Sequence, residues 1–134
     1  MESQRQPLVI IGFHDDGTRK VMTSTAAFLY VTFIAVDEYE EMLIAIEKAP
    51  DAAGYILDVN LQNKAGKINS SHGVEIYQRV RPRVESGKAR FLAISGHPEP
   101  LEQAKVLGIP EEFLKQKPYN GLIGWFESLR TLNA

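Results

Sequence analysis

The sequence predicts an α/β fold: a five-stranded parallel sheet, doubly wound in the flavodoxin-like strand order 2-1-3-4-5. Three observations lead there. Short apolar, β-branched runs alternate along the chain with segments of helical periodicity, and the runs are continuously rather than alternately hydrophobic. Continuous hydrophobicity suits a strand covered by helices on both faces, and right-handed crossovers leave few other topologies open. A length of 134 residues fits one domain, 1–134, with a core of its own.

The strands read as Leu8 to Phe13, Val31 to Val36, Ala53 to Leu57, Phe91 to Ile94 and, more weakly, Glu112 to Gln116. The first intervening helix spans Arg19 to Leu29, where Thr23, Ser24 and Thr25 are poor interior formers. Asp37 to Glu47 carries Tyr39, Met42, Leu43 and Ile46 on one stripe, with Asp37 as N-cap and Glu40 three residues on. Gly73 to Arg81 is helical until Pro82 interrupts it. Leu101, Ala104 and Leu107 mark a short helix with Pro98 or Pro100 in its first turn and Gly108 at its end. The last helix repeats the stripe with Leu122, Trp125, Phe126 and Leu129 after an Asn120 cap, a pattern for core packing.

Composition narrows the function classes. The chain contains no cysteine, which excludes disulfides, thiolate nucleophiles and cysteine-ligated zinc and suits a reducing cytoplasm. A net charge of -2 gives no global pull toward nucleic acid or an anionic membrane. The basic cluster of Arg79, Arg81, Arg83, Lys88 and Arg90 reads as a solvated helix face. The polar stretch Met1 to Pro7 lacks the order of a signal peptide, and no apolar run is long enough to span a bilayer. His14, His72 and His97 have no metal-ligand spacing.

In an open α/β sheet the site lies beyond the carboxyl ends of the strands. There the chain places Asp15 and Asp16, then Asp58, then Ser95 with Gly96 and His97, then Lys117 and Pro118. Clustered carboxylates repel one another, and a hard divalent cation resolves the conflict. The formal charges of three aspartates, one lysine and one such ion cancel. Such a set positions and neutralises a phosphoryl group, which is most of what phosphoryl transfer needs.

Asp15-Asp16, Asp58, Ser95 and Lys117-Pro118, in that order at successive strand ends, resemble the signature of response-regulator receiver domains. The 22-residue step from Ser95 to Lys117 matches that pattern, and Gly73 to Ile76 looks like its third-helix opening. The resemblance runs from about Leu8 to Leu129. It implies a phosphorylation-dependent domain of a two-component system, with Asp58 as phospho-acceptor and Lys117 and Ser95 around the phosphoryl group. It implies Mg²⁺ held directly by Asp16, Asp58 and the Asn60 backbone carbonyl, with Asp15 acting partly through water. It also implies a cis bond before Pro118, and roles for Asn60 and His97 in the lifetime of the phosphoryl group.

The partners implied are a sensor histidine kinase or phosphotransfer protein and a downstream protein, with room for a homodimer. No direct nucleic-acid or membrane binding is expected, and localisation is expected to be cytoplasmic. Such a domain catalyses only its own aspartyl phosphorylation and dephosphorylation, so it is no enzyme in the ordinary sense.

The chain also departs from the pattern. The 14 residues Val59 to His72 make a longer acceptor loop, and Gln62 stands where a proline is usual. Gln62 to His72, polar and small, is expected to be a mobile lip. Leu114 occupies the usually aromatic switch position three residues before Lys117, with Phe113 beside it; a bulge at Lys115-Gln116 would let Phe113 take the role. The first strand runs long before its acidic pair, so that His14 intrudes. The departures motivate an alternative, a phosphorylation-independent interaction module with the receiver fold. Asp58-Val59-Asn60 also resembles the nucleophile motif of haloacid-dehalogenase-like phosphohydrolases, but there the motif follows the first strand of a larger chain.

Overall fold

A computed structural model describes residues 6–132. Residues 1–5, most of the polar N-terminal stretch, and 133–134 lie outside the described part. Five parallel strands form one sheet in the order β2-β1-β3-β4-β5. They are β1 (Leu8–Gly12), β2 (Thr32–Val36), β3 (Gly54–Asp58), β4 (Arg90–Ser95) and β5 (Leu114–Gln116). Helices α1 (Asp16–Phe28), α2 (Tyr39–Lys48), α3 (Ser70–Glu85), α4 (Pro98–Leu107) and α5 (Leu122–Ser128) follow them in turn. The predicted fold class and strand order are those observed.

The side-chain alternation of the strands divides the core in two. Ile10, Tyr55, Leu57, Phe91 and Ala93 pack with Met42 of α2 and Ile76, Tyr77 and Val80 of α3. Val9, Ile11, Ile56, Leu92 and Ile94 pack with Met22 and Ala26 of α1 and with Phe126 and Leu129. Trp125 joins this second cluster, in the core role its stripe predicts. Each fully buried large side chain contributes about 1.5–3 kcal/mol, so both layers clamp β1, β3 and β4 firmly. Strand β2 departs from the expectation of two covered faces: it is the sheet edge, and Thr32, Phe33 and Ala35 are exposed.

Element boundaries moved in ways the local chemistry explains. Helix α3 starts earlier, where the Asn69 side chain accepts from the Ser71 amide at 2.8 Å, and it runs through Pro82. Pro82 is exposed, and the Arg83 guanidinium ties the last turn down by donating to the Ala52 carbonyl at 2.7 Å. The expected caps Asp37 and Asn120 give way to Glu38 and Gly121. Pro98 opens α4, and Gly108 closes it with φ 123°. Glu111–Phe113 forms a 3-10 turn, so β5 is short. Its register against β4 (Ala93 with Leu114, Ile94 with Lys115, Ser95 with Gln116) is continuous and contains no bulge. No helix of the described residues is long and apolar enough to cross a membrane.

Candidate functional site

Asp58 is the last residue of β3, partly buried, and its Oδ1 accepts from the Asn60 amide at 2.9 Å. Burial pushes its carboxyl above the ordinary aspartate range; the Asn60 amide and Lys117 oppose that rise, and the charge of Asp15 adds to it. Desolvation, more than the neighbouring carboxylate, is what disfavours the ionised form.

The strand register decides what faces Asp58 from β1. Gly12 pairs with Leu57, so the next residue, Phe13, comes level with Asp58. Phe13 is fully buried, and the Lys117 ammonium lies 5.8 Å from its ring centroid, within cation–π reach. The acidic pair is carried onward to the start of α1. Asp15 is the N-cap, and its Oδ2 accepts from the Thr18 amide and the Thr18 hydroxyl, each at 2.7 Å. Those two bonds hold the Asp15 carboxyl below its ordinary range.

Asp16 begins the helix and is engaged elsewhere. Arg19 Nη2 reaches its Oδ1 at 2.6 Å and Lys20 Nζ its Oδ2 at 3.4 Å, the i, i+3 and i, i+4 pairings of a helix face. Arg19 is anchored in turn by donating to the carbonyls of Phe13 at 2.9 Å and His14 at 3.1 Å. Of the three carboxylates expected together, Asp16 is drawn to Arg19 and Lys20, while the charge of Asp15 is felt at Asp58. Among the described residues no group of three or more His, Asp or Glu side chains is placed to hold a metal ion. The physical reason is the long exit from β1, which shifts the pair from the strand end to the first turn of the helix.

The remaining donors still suit a hydrated divalent ion. Asp15 and Asp58 offer hard carboxylate oxygens, the Asn60 carbonyl is a third such donor, and Mg²⁺ commonly uses one or two carboxylates while keeping several waters.

On the other side, Ser95 ends β4, is buried, and accepts from the His97 amide at 3.1 Å. The Lys117 amide donates to the Ser95 carbonyl at 2.9 Å, which fixes the end of β5 beside that of β4. The bond between Lys117 and Pro118 is cis, as the resemblance implies. The Lys117 ammonium donates to Thr18 Oγ1 at 3.0 Å. His97 is the exposed N-cap of α4, and its side chain makes no capping bond. Phe113 and Leu114 are both partly buried against the α2–α3 core; Phe113 lies 6.1 Å from the Tyr77 ring and 6.4 Å from Phe91.

Two features escaped the reading of the sequence. Thr18 is one, although its place three residues after Asp15 is the N-cap to N3 spacing of a helix start. The other is the anchoring of the acceptor loop. Instead of a free lip, the loop is tied to α2: Tyr39 N donates to the Gln62 carbonyl at 2.8 Å, and Lys64 N to the Glu40 carboxylate at 2.8 Å. His72 bonds the Leu61 carbonyl through Nδ1 at 2.8 Å and stacks on Tyr39 at 4.8 Å. The Tyr39 hydroxyl donates to Glu75; burial and that carboxylate push it up to about 12. The exposed part runs from Lys64 to Asn69, within which the Lys67 amide donates to Asn63 Oδ1 at 2.9 Å. The basic cluster also divides, since Arg81 pairs with Glu85 at 2.8 Å while Arg83 turns inward.

No protein-family model and no curated protein matches the chain. Solved structures do. The chemotaxis response regulator CheY4 of Vibrio cholerae superposes with TM-score 0.66 at 18% identity, over 93% of this chain and 99% of that one. A CheY-like receiver domain from Methylobacillus flagellatus gives 0.67 at 17% identity, over 93% and 99%. The beryllofluoride-activated NtrC4 receiver domain dimer gives 0.64 at 12% identity, over 92% and 96%. At these identities the likeness establishes the fold, which is that of CheY-like receiver domains.

Proposed function

We propose that this chain is a phosphorylation-dependent signalling receiver that takes a phosphoryl group on Asp58 with Mg²⁺. The observation that carries the reading is Asp58 itself. It is a partly buried carboxylate at the end of the central strand β3, with its pKa raised by burial, facing one further carboxylate and one lysine. Its donor is a phosphohistidine of a sensor histidine kinase or phosphotransfer protein. The free carboxylate oxygen of Asp58 attacks phosphorus in line, and a new O–P bond forms as the P–N bond breaks. The electron pair leaves with the imidazole nitrogen.

A bound Mg²⁺ would supply charge to offset the phosphoryl oxygens, and Asp15, Asp58 and the Asn60 carbonyl would hold it. Lys117 swings to the phosphoryl oxygens, and the Ser95 hydroxyl turns toward them, leaving its bond with the His97 amide. Movement of Ser95 vacates space beside β5, into which Leu114 moves to alter the outer surface over β4 and β5; without a bulge in β5, Phe113 does not take that role. Turnover of an external substrate has no part in this scheme. A downstream protein reads that surface in the cytoplasm; since the NtrC4 receiver domain forms a dimer, a second copy is one such reader.

One observation favours the second reading, a receiver fold that binds its partner without phosphorylation. Asp16 is committed to Arg19 and Lys20, and among the described residues no three carboxylates are grouped to hold a metal ion. Incubation with radiolabelled acetyl phosphate and Mg²⁺ separates the two. The first reading predicts one acid-labile phosphoryl group that Asp58→Asn abolishes; the absence of uptake, with the fold intact, selects the second.

A further inference from the structure

Lys117 does not rest on the carboxylate it is expected to serve. Among the described residues no ion pair joins it to Asp58 or Asp15. Its ammonium instead donates to Thr18 Oγ1 at 3.0 Å, and that hydroxyl gives its own proton to Asp15 Oδ2 at 2.7 Å. A hydroxyl has one proton to give and lone pairs to accept with, so both capacities are used in a single direction, from cation through Thr18 to anion. The chain crosses 99 residues of sequence and joins the start of α1 to the end of β5. Under the ammonium lies the buried Phe13 ring, which offers cation–π attraction but no directional bond. Thr18 is therefore the group that fixes where the flexible lysine stem ends.

We infer that Thr18 is a positioning residue: its hydroxyl holds Lys117 at the mouth of the site, clear of Asp58, and links it to Asp15. The role rests on the reading of Asp58 as phosphoryl acceptor. An ammonium paired directly with Asp58 would tie up the nucleophile; one anchored on a neutral hydroxyl leaves it free and stays close enough to shift onto the incoming phosphoryl oxygens. The anchor also couples two sides of the site, because loading Asp15 with a cation draws on the same carboxylate that orients the Thr18 hydroxyl.

Three proteins test this: the native chain, Thr18→Val, which keeps the shape and the backbone amide of the cap but removes the hydroxyl, and Thr18→Ser, which restores it. The first readout is the Lys117 side-chain ammonium resonance without any phosphoryl donor. It should move in the valine variant and return in the serine variant, while the α1 amides stay helical in both. The second readout is the rate at which acetyl phosphate labels Asp58, as the P–O bond to acetate breaks and the P–O bond to Asp58 forms. It should fall on the order of tenfold in the valine variant, and serine should restore it to within about twofold, since small misplacements of a catalytic group are costly. An unmoved Lys117 resonance in the valine variant overturns the proposal, as does an unchanged rate or a serine variant that behaves like valine. If the native chain takes no phosphoryl group at all, the reading of Asp58 falls, and the resonance alone still decides whether Thr18 positions Lys117.

Discussion

Replacing Gly73 with alanine should destabilise the protein and disturb the acceptor loop, although the same change in an open helix position stabilises. Gly73 lies in α3 where the helix passes Val59, and its amide donates to the Val59 carbonyl at 3.2 Å. A Cβ built there stands 2.7 Å from that carbonyl oxygen and 3.1 Å from both Val59 Cα and Cγ2. Alanine gains about 1 kcal/mol of helix propensity over glycine. Overpacking costs about 1–3 kcal/mol, and here the obstacle is backbone that cannot rotate aside. The net expectation is a loss of up to about 2 kcal/mol, read as a lower urea midpoint at unchanged slope. Gly124, inside α5, is the control, because a Cβ there meets nothing within 4 Å. Gly124→Ala should gain about 0.4–1 kcal/mol. Because Val59 follows Asp58, the Gly73 variant should also shift the Asp58 and Asn60 amide resonances. A Gly73→Ala protein as stable as the native chain would refute the close approach of α3 to the acceptor strand.

Three further outcomes follow from the site. Asp58 has a raised pKa, so the native state binds its proton more tightly than the unfolded chain does, and its contribution is fully present below the unfolded value and lost as pH rises through the folded one. Asp58→Asn should accordingly raise stability at pH 7 and flatten this part of the pH dependence; a variant less stable than the native chain contradicts the burial argument. In calorimetric Mg²⁺ titrations Asp15→Ala should cost more affinity than Asp16→Ala, the reverse of the order the family resemblance implies, since Asp16 is held by Arg19 and Lys20. Equal losses would mean that Asp16 turns into the site when the ion binds. Hydrogen exchange should show the Lys64 amide speeding up in Glu40→Ala while the Lys67 amide, bonded to Asn63 Oδ1, keeps its native rate; uniformly fast exchange from Gln62 to His72 in the native chain would restore the free-lip picture.

What was legible in the sequence followed from strong local signals. The apolar runs of β1, β3 and β4 could be read because burial on both faces demands unbroken hydrophobicity; β2 showed the same kind of run although it is the exposed sheet edge, and strand order then followed from chirality. Asp58, Ser95 and Lys117 could be placed at the carboxyl edge of the sheet because each stands at or next to a strand end, a position that short β runs mark well. Asp16 was misplaced for the converse reason. Whether an acidic pair sits on a strand end or on the next helix turn depends on where the strand stops; the overlong run with His14 before the pair hinted at a shift, but apolar Phe13 masked the stop at Gly12. Pro82 looked like a helix terminator because propensity sees the lost amide and not the Arg83 anchor beyond it. The anchored loop and the Thr18 bridge rest on contacts between residues far apart in the chain, such as Tyr39 with Glu75 and Thr18 with Lys117. Periodicity carries no information about those.

The claim on which the account turns is that phosphorus bonds to Asp58. Borohydride reduces an acyl phosphate to the alcohol, which converts a phosphorylated aspartate to homoserine and leaves free carboxylates untouched. Protein incubated with acetyl phosphate and Mg²⁺, then reduced, digested and sequenced by mass spectrometry, should carry homoserine at position 58, and only when both reagents were present. Homoserine at Asp15 or Asp16, or an unreduced Asp58 in protein shown to be labelled, would contradict the assignment.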